Sequence, residues 1–397
     1  MNDNRATRRR RAELVDTLTA RGIVSDGAAA RALRTVPRHV FLPEVDPVRA
    51  YEDDVVVTKT VSGRPVSSCS QPAMVATQLQ QSAVRPGDRV LEIGAGTGYN
   101  AALLSELVGP DGSVCTIDVD GDIVERARRS LSAAGYPEVT VVHGDGQHAW
   151  QDGAPYDRII ATVGVADVPP AWWEQLAPGG RVCVPLAFRG MQRCFGLAEV
   201  DGRLMSDSVV ACGFIPVRGI GAFIGRTDPW FGGTELYRDP DQRPVTDAAG
   251  VMASPRREWW LPEPLRPFDR LDSLELLVAA SQPGYRKEVA GTGGRLTGET
   301  TGVAAVVDGD SVARLVRSAG AGGVSVGVHA YGPRRGALLS RIREAVLTWD
   351  RFYRRAEYSP IAVLTRKTDA PPAARVVIEK RYTWLSFGRG RPKRRSL

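Results

Sequence analysis

The chain has 397 residues, 43% of them hydrophobic, and a net charge of +7. No apolar run approaches the length of a membrane span, and the opening eleven residues are not followed by a secretory apolar segment, so a cytoplasmic location without a membrane partner is expected. Five cysteines without a Cys-x-x-Cys pair, and only four histidines, lack the ligand spacings of zinc, so no metal is expected.

The charge sits at the ends. Residues 1–11 carry +4 and residues 386–397 carry +5, which leaves −2 on the remainder. A nucleic-acid groove would gather its charge on the folded body, so these ends read as solvated, frayed tails and no nucleic-acid partner is expected.

In chain order, helical spacing of Leu14, Val15 and Leu18, then of Ala28, Ala32 and Leu33, predicts helices over 9–21 and 27–35. A β-like run at 55–61 leads to a serine-rich turn at 67–72. A helix comes next, with Pro72 in its first turn, Met74, Val75 and Leu79 as its apolar stripe, and Ser70 suited to cap it.

The stretch 88–100 is the organising centre of the chain. A short apolar run ends at Ile93, breaks into Gly94-Ala95-Gly96-Thr97-Gly98, and gives way to a helix over 99–108. Glycines let a backbone approach a ligand closely, and the helix behind them offers unpaired N–H groups. A dinucleotide turn is Gly-x-Gly-x-x-Gly, whereas here the third glycine comes one residue early and Glu92 leads in. That pattern favours S-adenosyl-L-methionine, which has no pyrophosphate to cradle. Strands over 89–93, 114–117, 139–142, 158–163 and 181–185, with helices over 99–108, 121–134 and 169–177, predict a Rossmann-like α/β sheet finished by a hairpin through Asp201-Gly202. Asp118 at the second strand end suits ribose hydroxyls. Asp145, before Gly146 at the third, suits an adenine amine. Glu92, Gly94, Ala95, Gly96, Gly98, Asp118, Asp145 and Gly146 are therefore the expected cofactor residues.

Residues 218–265 show little periodicity, and the glycine-rich 291–298 reads as a loop. Strand patterns at 303–307, 311–316, 323–331, 361–365 and 374–378 and a helix over 337–354 predict a smaller C-terminal α+β domain, placing the boundary between 1–217 and 218–397. Five of the eight tryptophans fall in that part. Core positions explain most of them, Trp349 above all, while Trp230-Phe231 and Trp259-Trp260 lie in non-periodic segments and are the candidates for a peptide-binding surface. Trp172 and Trp173 are expected to pack the helix they sit on, and His143 and His148 to serve surface or packing roles.

Val36-Pro37-Arg38-His39-Val40-Phe41-Leu42-Pro43, Tyr51-Glu52-Asp53, Ser70-Gln71-Pro72, the stretch from Val90 to Tyr99, Gly144-Asp145-Gly146 and Gln175-Leu-Ala-Pro-Gly-Gly180 resemble, in order, signatures of the protein-L-isoaspartate O-methyltransferases. The resemblance covers about residues 12–217. It implies a class I methyltransferase fold using S-adenosyl-L-methionine, Ser70 beside the substrate carboxylate and the methyl donor, and Ser67, Gln71 and Thr162 at the substrate. Two departures stand out. Bulkier and charged residues over 57–64 replace a glycine-rich lead, and the chain continues for about 180 residues past the sheet. The extended layout resembles the homologues that modify ribosomally made peptides, such as those of lanthipeptide and ATP-grasp peptide pathways. It implies methylation of an aspartyl carboxylate in a constrained, modified precursor peptide, followed by succinimide formation and hydrolysis to aspartate or isoaspartate. General repair of isoaspartyl damage is the alternative, and a binding module that has kept an inactive scaffold is a third.

Overall fold

The computed structural model describes residues 3–388 apart from 26, 223–224, 231–232, 240–241, 246–247, 267–268, 270, 291–299, 321–322, 355–359 and 375. The chain divides into two compact units, Met1–Ala187 with Gln192–Phe223, and Phe188–Met191 with Ile224–Leu397.

The first unit opens with helices α1 (Arg5–Ala20), α2 (Ala28–Thr35) and α3 (Pro47–Ala50). The basic start is not a frayed tail. Asn4 caps α1 by accepting from Ala6 N and Thr7 N, and Arg11 is buried, donating to the Arg34 carbonyl at 2.6 Å and pairing with Asp3 at 3.0 Å. Capping and one internally paired arginine anchor a segment that composition alone marks as solvated. Arg5, Arg8, Arg9 and Arg10 do face solvent, and residues 389–397 lie outside the described residues.

Strands β1 (Val56–Val61) and β2 (Arg64–Cys69) form a hairpin through Ser62 and Gly63, both at positive φ, as a tight two-residue turn requires. The serine-rich turn expected at 67–72 is therefore strand up to Cys69. Helix α4 (Pro72–Ser82) comes next, and its N-cap is Gln71 with no side-chain capping bond, so Ser70 does not cap it.

The main sheet of this unit runs β9-β8-β7-β6-β3-β4-β5, from β3 (Arg89–Ile93), β4 (Ser113–Asp118), β5 (Thr140–His143), β6 (Tyr156–Ala161), β7 (Leu176–Phe188), β8 (Met191–Val200) and β9 (Arg203–Ala211). Pairs β5–β4, β4–β3, β3–β6 and β6–β7 are parallel, and β8–β9 is the expected antiparallel hairpin. Helices α5 (Tyr99–Val108), α6 (Gly121–Ala134) and α7 (Pro170–Gln175) supply the crossovers. With β4 and β6 on its two sides, β3 stands where the strand order reverses, so its carboxyl end opens into a crevice. Helix α6 shows the local logic. Ile123, Val124, Ala127 and Leu131 recur at helical spacing and are buried, and Gly135, at φ +91, ends it in the left-handed conformation.

The core packs Leu33 and Phe41 with Leu104 and Val90, each fully buried or nearly so and worth about 1.5–3 kcal/mol. Behind Val36-Pro37, Arg38–Phe41 forms a short 3₁₀ turn within it. Arg38 is wholly buried, donates to the Ala50 carbonyl at 2.9 Å and lies 5.1 Å from the Tyr99 ring, while His39 Nδ1 meets Tyr51 Oη at 2.8 Å. Its part is to hold the first turn of α5 in place.

The second unit holds a seven-stranded antiparallel sheet, β10-β11-β13-β14-β15-β16-β12. Its strands are β10 (Arg226–Pro229), β11 (Thr234–Arg238), β12 (Arg257–Trp260), β13 (Tyr285–Ala290), β14 (Thr300–Asp308), β15 (Ser311–Gly320) and β16 (Gly323–Tyr331). Helices α8 (Ala248–Ala253), α9 (Leu271–Ser281) and α10 (Arg335–Phe352) accompany it, and β17 (Ile361–Arg366), β18 (Val377–Glu379) and β19 (Thr383–Gly388) pair in the order β18-β19-β17. The α+β expectation holds, but the apparently irregular 218–265 contributes three strands and a short helix, each too short for periodicity to show. On α10 the stripe Leu338, Ile342, Ala345, Val346 and Trp349 is buried, and Trp349 Nε1 donates to Ser273 Oγ at 2.8 Å. Trp230, a candidate for peptide contact, is buried instead, while Trp259 and Trp260 are half-buried. Phe231 and the glycine-rich loop lie outside the described residues.

Candidate active site

A cavity of about 440 Å³ opens at the carboxyl end of β3. Glu92, Gly94, Ala95, Gly96, Asn100, Asp118, Gly146 and Thr162 line one part, and Val57, Ser67, Ser70, Gln71 and the chain from Ala211 to Arg218 line the other. All these residues belong to the first unit.

Close approach explains the glycines. At Gly94, φ +101, an added Cβ would lie 2.7 Å from Thr162 Oγ1 and 2.9 Å from Val163 Cγ1, so no side chain fits. Gly98, at φ +86, is the N-cap of α5 and faces Leu131 and the Ala127 carbonyl across to α6; it is outside the cavity lining, so it shapes the turn and packs two helices. Gly146 presses on Ile93, and its carbonyl accepts from Trp172 Nε1 at 2.7 Å, which gives that tryptophan its packing role.

The Glu92 carboxylate is buried. It accepts from Asn100 Nδ2 at 2.8 Å and Thr116 Oγ1 at 2.6 Å, and burial pushes its pKa up to about 7. Burial also raises Asp118, against the opposing pull of the Gly96 and Asp120 N–H groups and of Arg218. Asn100 lines the same cavity, and its Oδ1 is buried without a partner among the described residues. Neither Asn100 nor Thr116 was singled out by sequence; Asn100's place directly after the turn, on the first turn of α5, was the available signal.

Ser67 is buried and accepts from Thr58 Oγ1 at 3.1 Å, whereas Gln71 is exposed and donates to the Asp53 carbonyl at 3.0 Å. Thr162 Oγ1 donates to the Gly94 carbonyl at 2.7 Å, tying β6 to the glycine turn. Ser70 is half-buried, and its hydroxyl has no hydrogen-bond partner among the described residues.

Asp145 differs from expectation. It is outside the cavity lining, because Oδ1 accepts from Gln147 N at 2.9 Å and Oδ2 from Ile220 N at 2.7 Å, with Gly219 pressed against it. The carboxylate caps a short turn here, next to Gly146, which does line the cavity. The structure adds an ionic cluster that sequence reasoning missed: Lys59 and Arg218 both reach Asp120, at 2.7 and 2.8 Å, and Lys59 also meets Asp122 at 2.7 Å. His143 and His148 are exposed, His143 Nε2 lying 3.1 Å from the Val119 carbonyl.

The donor set suits S-adenosyl-L-methionine. The glycine turn brings bare backbone to the cavity wall at Gly94 and Gly96, Asp118 offers an acceptor at the second strand end, and Glu92 offers a carboxylate to a cation. The volume lies in the range of small-molecule pockets.

A family model described as protein-L-isoaspartate(D-aspartate) O-methyltransferase matches residues 9–220. The chain is 39% identical over 219 residues to the protein-L-isoaspartate O-methyltransferase of Methanopyrus kandleri, covering 55% of this chain and 95% of that protein. It is 37% identical over 221 residues to that of Hyperthermus butylicus, covering 53% and 90%. A solved structure titled protein-L-isoaspartate O-methyltransferase is 27% identical, with a TM-score of 0.52, and covers 89% of this chain and 96% of that one. Residues 9–220 alone cannot supply that share, so the similarity to that structure extends past the sheet. The fold is that of class I methyltransferases, S-adenosyl-L-methionine is the cofactor, and the chain belongs to the protein-L-isoaspartate O-methyltransferase family.

Proposed function

We propose that the enzyme esterifies the free carboxylate of an isoaspartyl residue in a protein or peptide. The observation that carries this reading is the single cavity shared by the unpartnered Ser70 hydroxyl and the Glu92, Gly94, Asn100 and Asp118 cluster. S-adenosyl-L-methionine supplies the electrophilic methyl when bound. The substrate carboxylate is already ionised near neutral pH, so no general base is required. The chain's contribution is orientation and exclusion of water. Ser70 donates a hydrogen bond to one carboxylate oxygen, leaving the other free to attack, while Ser67 and Gln71 shape the same side of the cavity and Thr162 lines the facing part beside Gly94. The methyl ester carries methoxide, a far better leaving group than the oxide of a carboxylate, so the next backbone nitrogen attacks the ester carbonyl, methanol departs with the nitrogen's proton, and the succinimide closes without the enzyme.

The narrower reading, tailoring of a constrained aspartyl residue in a ribosomally made precursor peptide, rests on one feature of the site. Val57 lines the cavity, and with Lys59 and Arg64 on the same hairpin it makes β1–β2 bulky and charged in place of a glycine-rich lead. Chain length no longer supports it, so repair-type methylation is preferred. Mass spectrometry of a linear isoaspartyl peptide and a constrained aspartyl peptide, each incubated with S-adenosyl-L-methionine and the full chain, separates the two. A gain of one methyl on the linear isoaspartyl peptide is expected; methylation of the constrained aspartyl peptide alone would reverse the preference.

A further inference from the structure

The second unit carries an exposed surface that its own packing does not use. Opposite the buried stripe of α10, Arg343, Leu347 and Arg351 recur at intervals of four and so share a face. Ser340, Glu344, Thr348 and Phe352 form the neighbouring row, and together the two rows line a groove of about 300 Å³. Leu347 is 40% exposed and Phe352 52%, among the few large apolar side chains so exposed in the described residues. Arg343 lies 5.5 Å from the centre of the Trp259 ring and Arg351 5.1 Å from that of Phe352, so each guanidinium sits over an aromatic ring. Neither has a carboxylate partner among the described residues, although Arg341 on the same helix does, with Asp308 at 3.4 Å. Residues 224–388 carry 24 Lys and Arg against 19 Asp and Glu, whereas residues 12–223 carry 18 against 25.

We infer that this face of α10 docks an acidic peptide segment of the polypeptide substrate, away from the residue that is methylated. The inference rests on the proposed use of a polypeptide substrate. Charge complementarity selects the occupant: two preorganised guanidiniums flank an exposed leucine, within the more basic of the two units. Eight helical steps take Arg343 to Arg351, a rise of about 12 Å. An extended peptide advances about 3.3 Å per residue, so its carboxylates stand four residues apart, and the residue midway between them shares their face and meets Leu347. Glu344 in the adjacent row disfavours an unbroken acidic run. The recognised pattern is therefore acid, any, apolar, any, acid.

The test is fluorescence anisotropy at low ionic strength with the full chain and labelled peptides containing Glu-Gly-Leu-Gly-Glu or the same residues with the two glutamates adjacent. Binding of the spaced peptide, weakened at least tenfold by raised salt and at least tenfold in an R343E/R351E double variant, is expected. Equal binding of the adjacent-acid peptide, or undiminished binding by the double variant, overturns the inference. So does a dimer in sedimentation that the double variant abolishes while no peptide binds, since the face would then be a contact between copies. An unchanged near-ultraviolet circular dichroism spectrum, to which the tryptophans of the second unit contribute, shows that the double variant is folded, and methyl transfer to a short isoaspartyl peptide is unchanged as well. No cofactor is present in the titration, so failure of docking and failure of methyl transfer are read separately.

Discussion

Asn100 donates its side-chain N–H to Glu92 Oε1 at 2.8 Å, bridging the two ends of the glycine turn. Thr116 holds the other oxygen at 2.6 Å, and Asp118 is the nearby charge that adds to the effect of burial. With a pKa raised to about 7, the protonated acid is favoured in the folded chain. Its contribution to stability is full below about pH 4.5 and is lost as pH rises through about 7, a change of up to about 3 kcal/mol. Glutamine can keep both hydrogen bonds, so E92Q should be at least as stable as wild type above about pH 8 in urea titrations, with the difference gone near pH 5. A bound cation favours the ionised form. Wild-type affinity for S-adenosyl-L-methionine should therefore rise severalfold between about pH 6 and pH 8, and that of E92Q should stay flat.

Ser70 is placed at the cavity and caps nothing, so its removal should separate catalysis from folding. S70A is expected to lower kcat about tenfold or more through one lost oriented hydrogen bond, while stability changes by less than about 0.5 kcal/mol and cofactor affinity is kept. A loss of about 1 kcal/mol in stability with unchanged kcat would return Ser70 to a capping role.

Gly94 and Gly135 both have positive φ, but only Gly94 is crowded. G135A, in open space, should cost about 1 kcal/mol of backbone strain. G94A should cost more than twice that and abolish cofactor binding, because the new methyl meets Thr162 and Val163. Thermal unfolding and calorimetric titration of both variants check the contrast.

Arg11 is buried against Asp3 and the Arg34 carbonyl, whereas Arg9 and Arg10 are exposed. R11A should destabilise by about 2–3 kcal/mol, through lost charge-assisted bonds and packing, and R10A by less than about 0.5 kcal/mol. Equal, small effects in urea titration would restore the picture of a frayed tail.

Much of the sheet was legible because each strand and crossover is long enough to show its period, and because the glycine turn and Asp118 occupy fixed places on that frame. Arg11 misled because composition counts charges without seeing which arginine turns inward. Strand β2 was hidden by serines that usually mark turns, although Ser62-Gly63 was the better turn signal. Asp145 was legible as a strand-end acid, but its neighbour in space, Ile220, lies 75 residues later in the chain. The Lys59, Asp120 and Arg218 cluster was invisible for the same reason. Spacing along a chain carries no information about partners that only folding brings together.

The most direct test is methyl transfer to two linear peptides of one sequence, differing only in whether the central acid is isoaspartyl or aspartyl. With S-adenosyl-L-methionine and the full chain, kcat/KM should favour the isoaspartyl form by a hundredfold or more, an energy of about 2.7 kcal/mol. Equal rates, or transfer to the aspartyl peptide alone, would contradict isoaspartyl methylation as the activity of this chain.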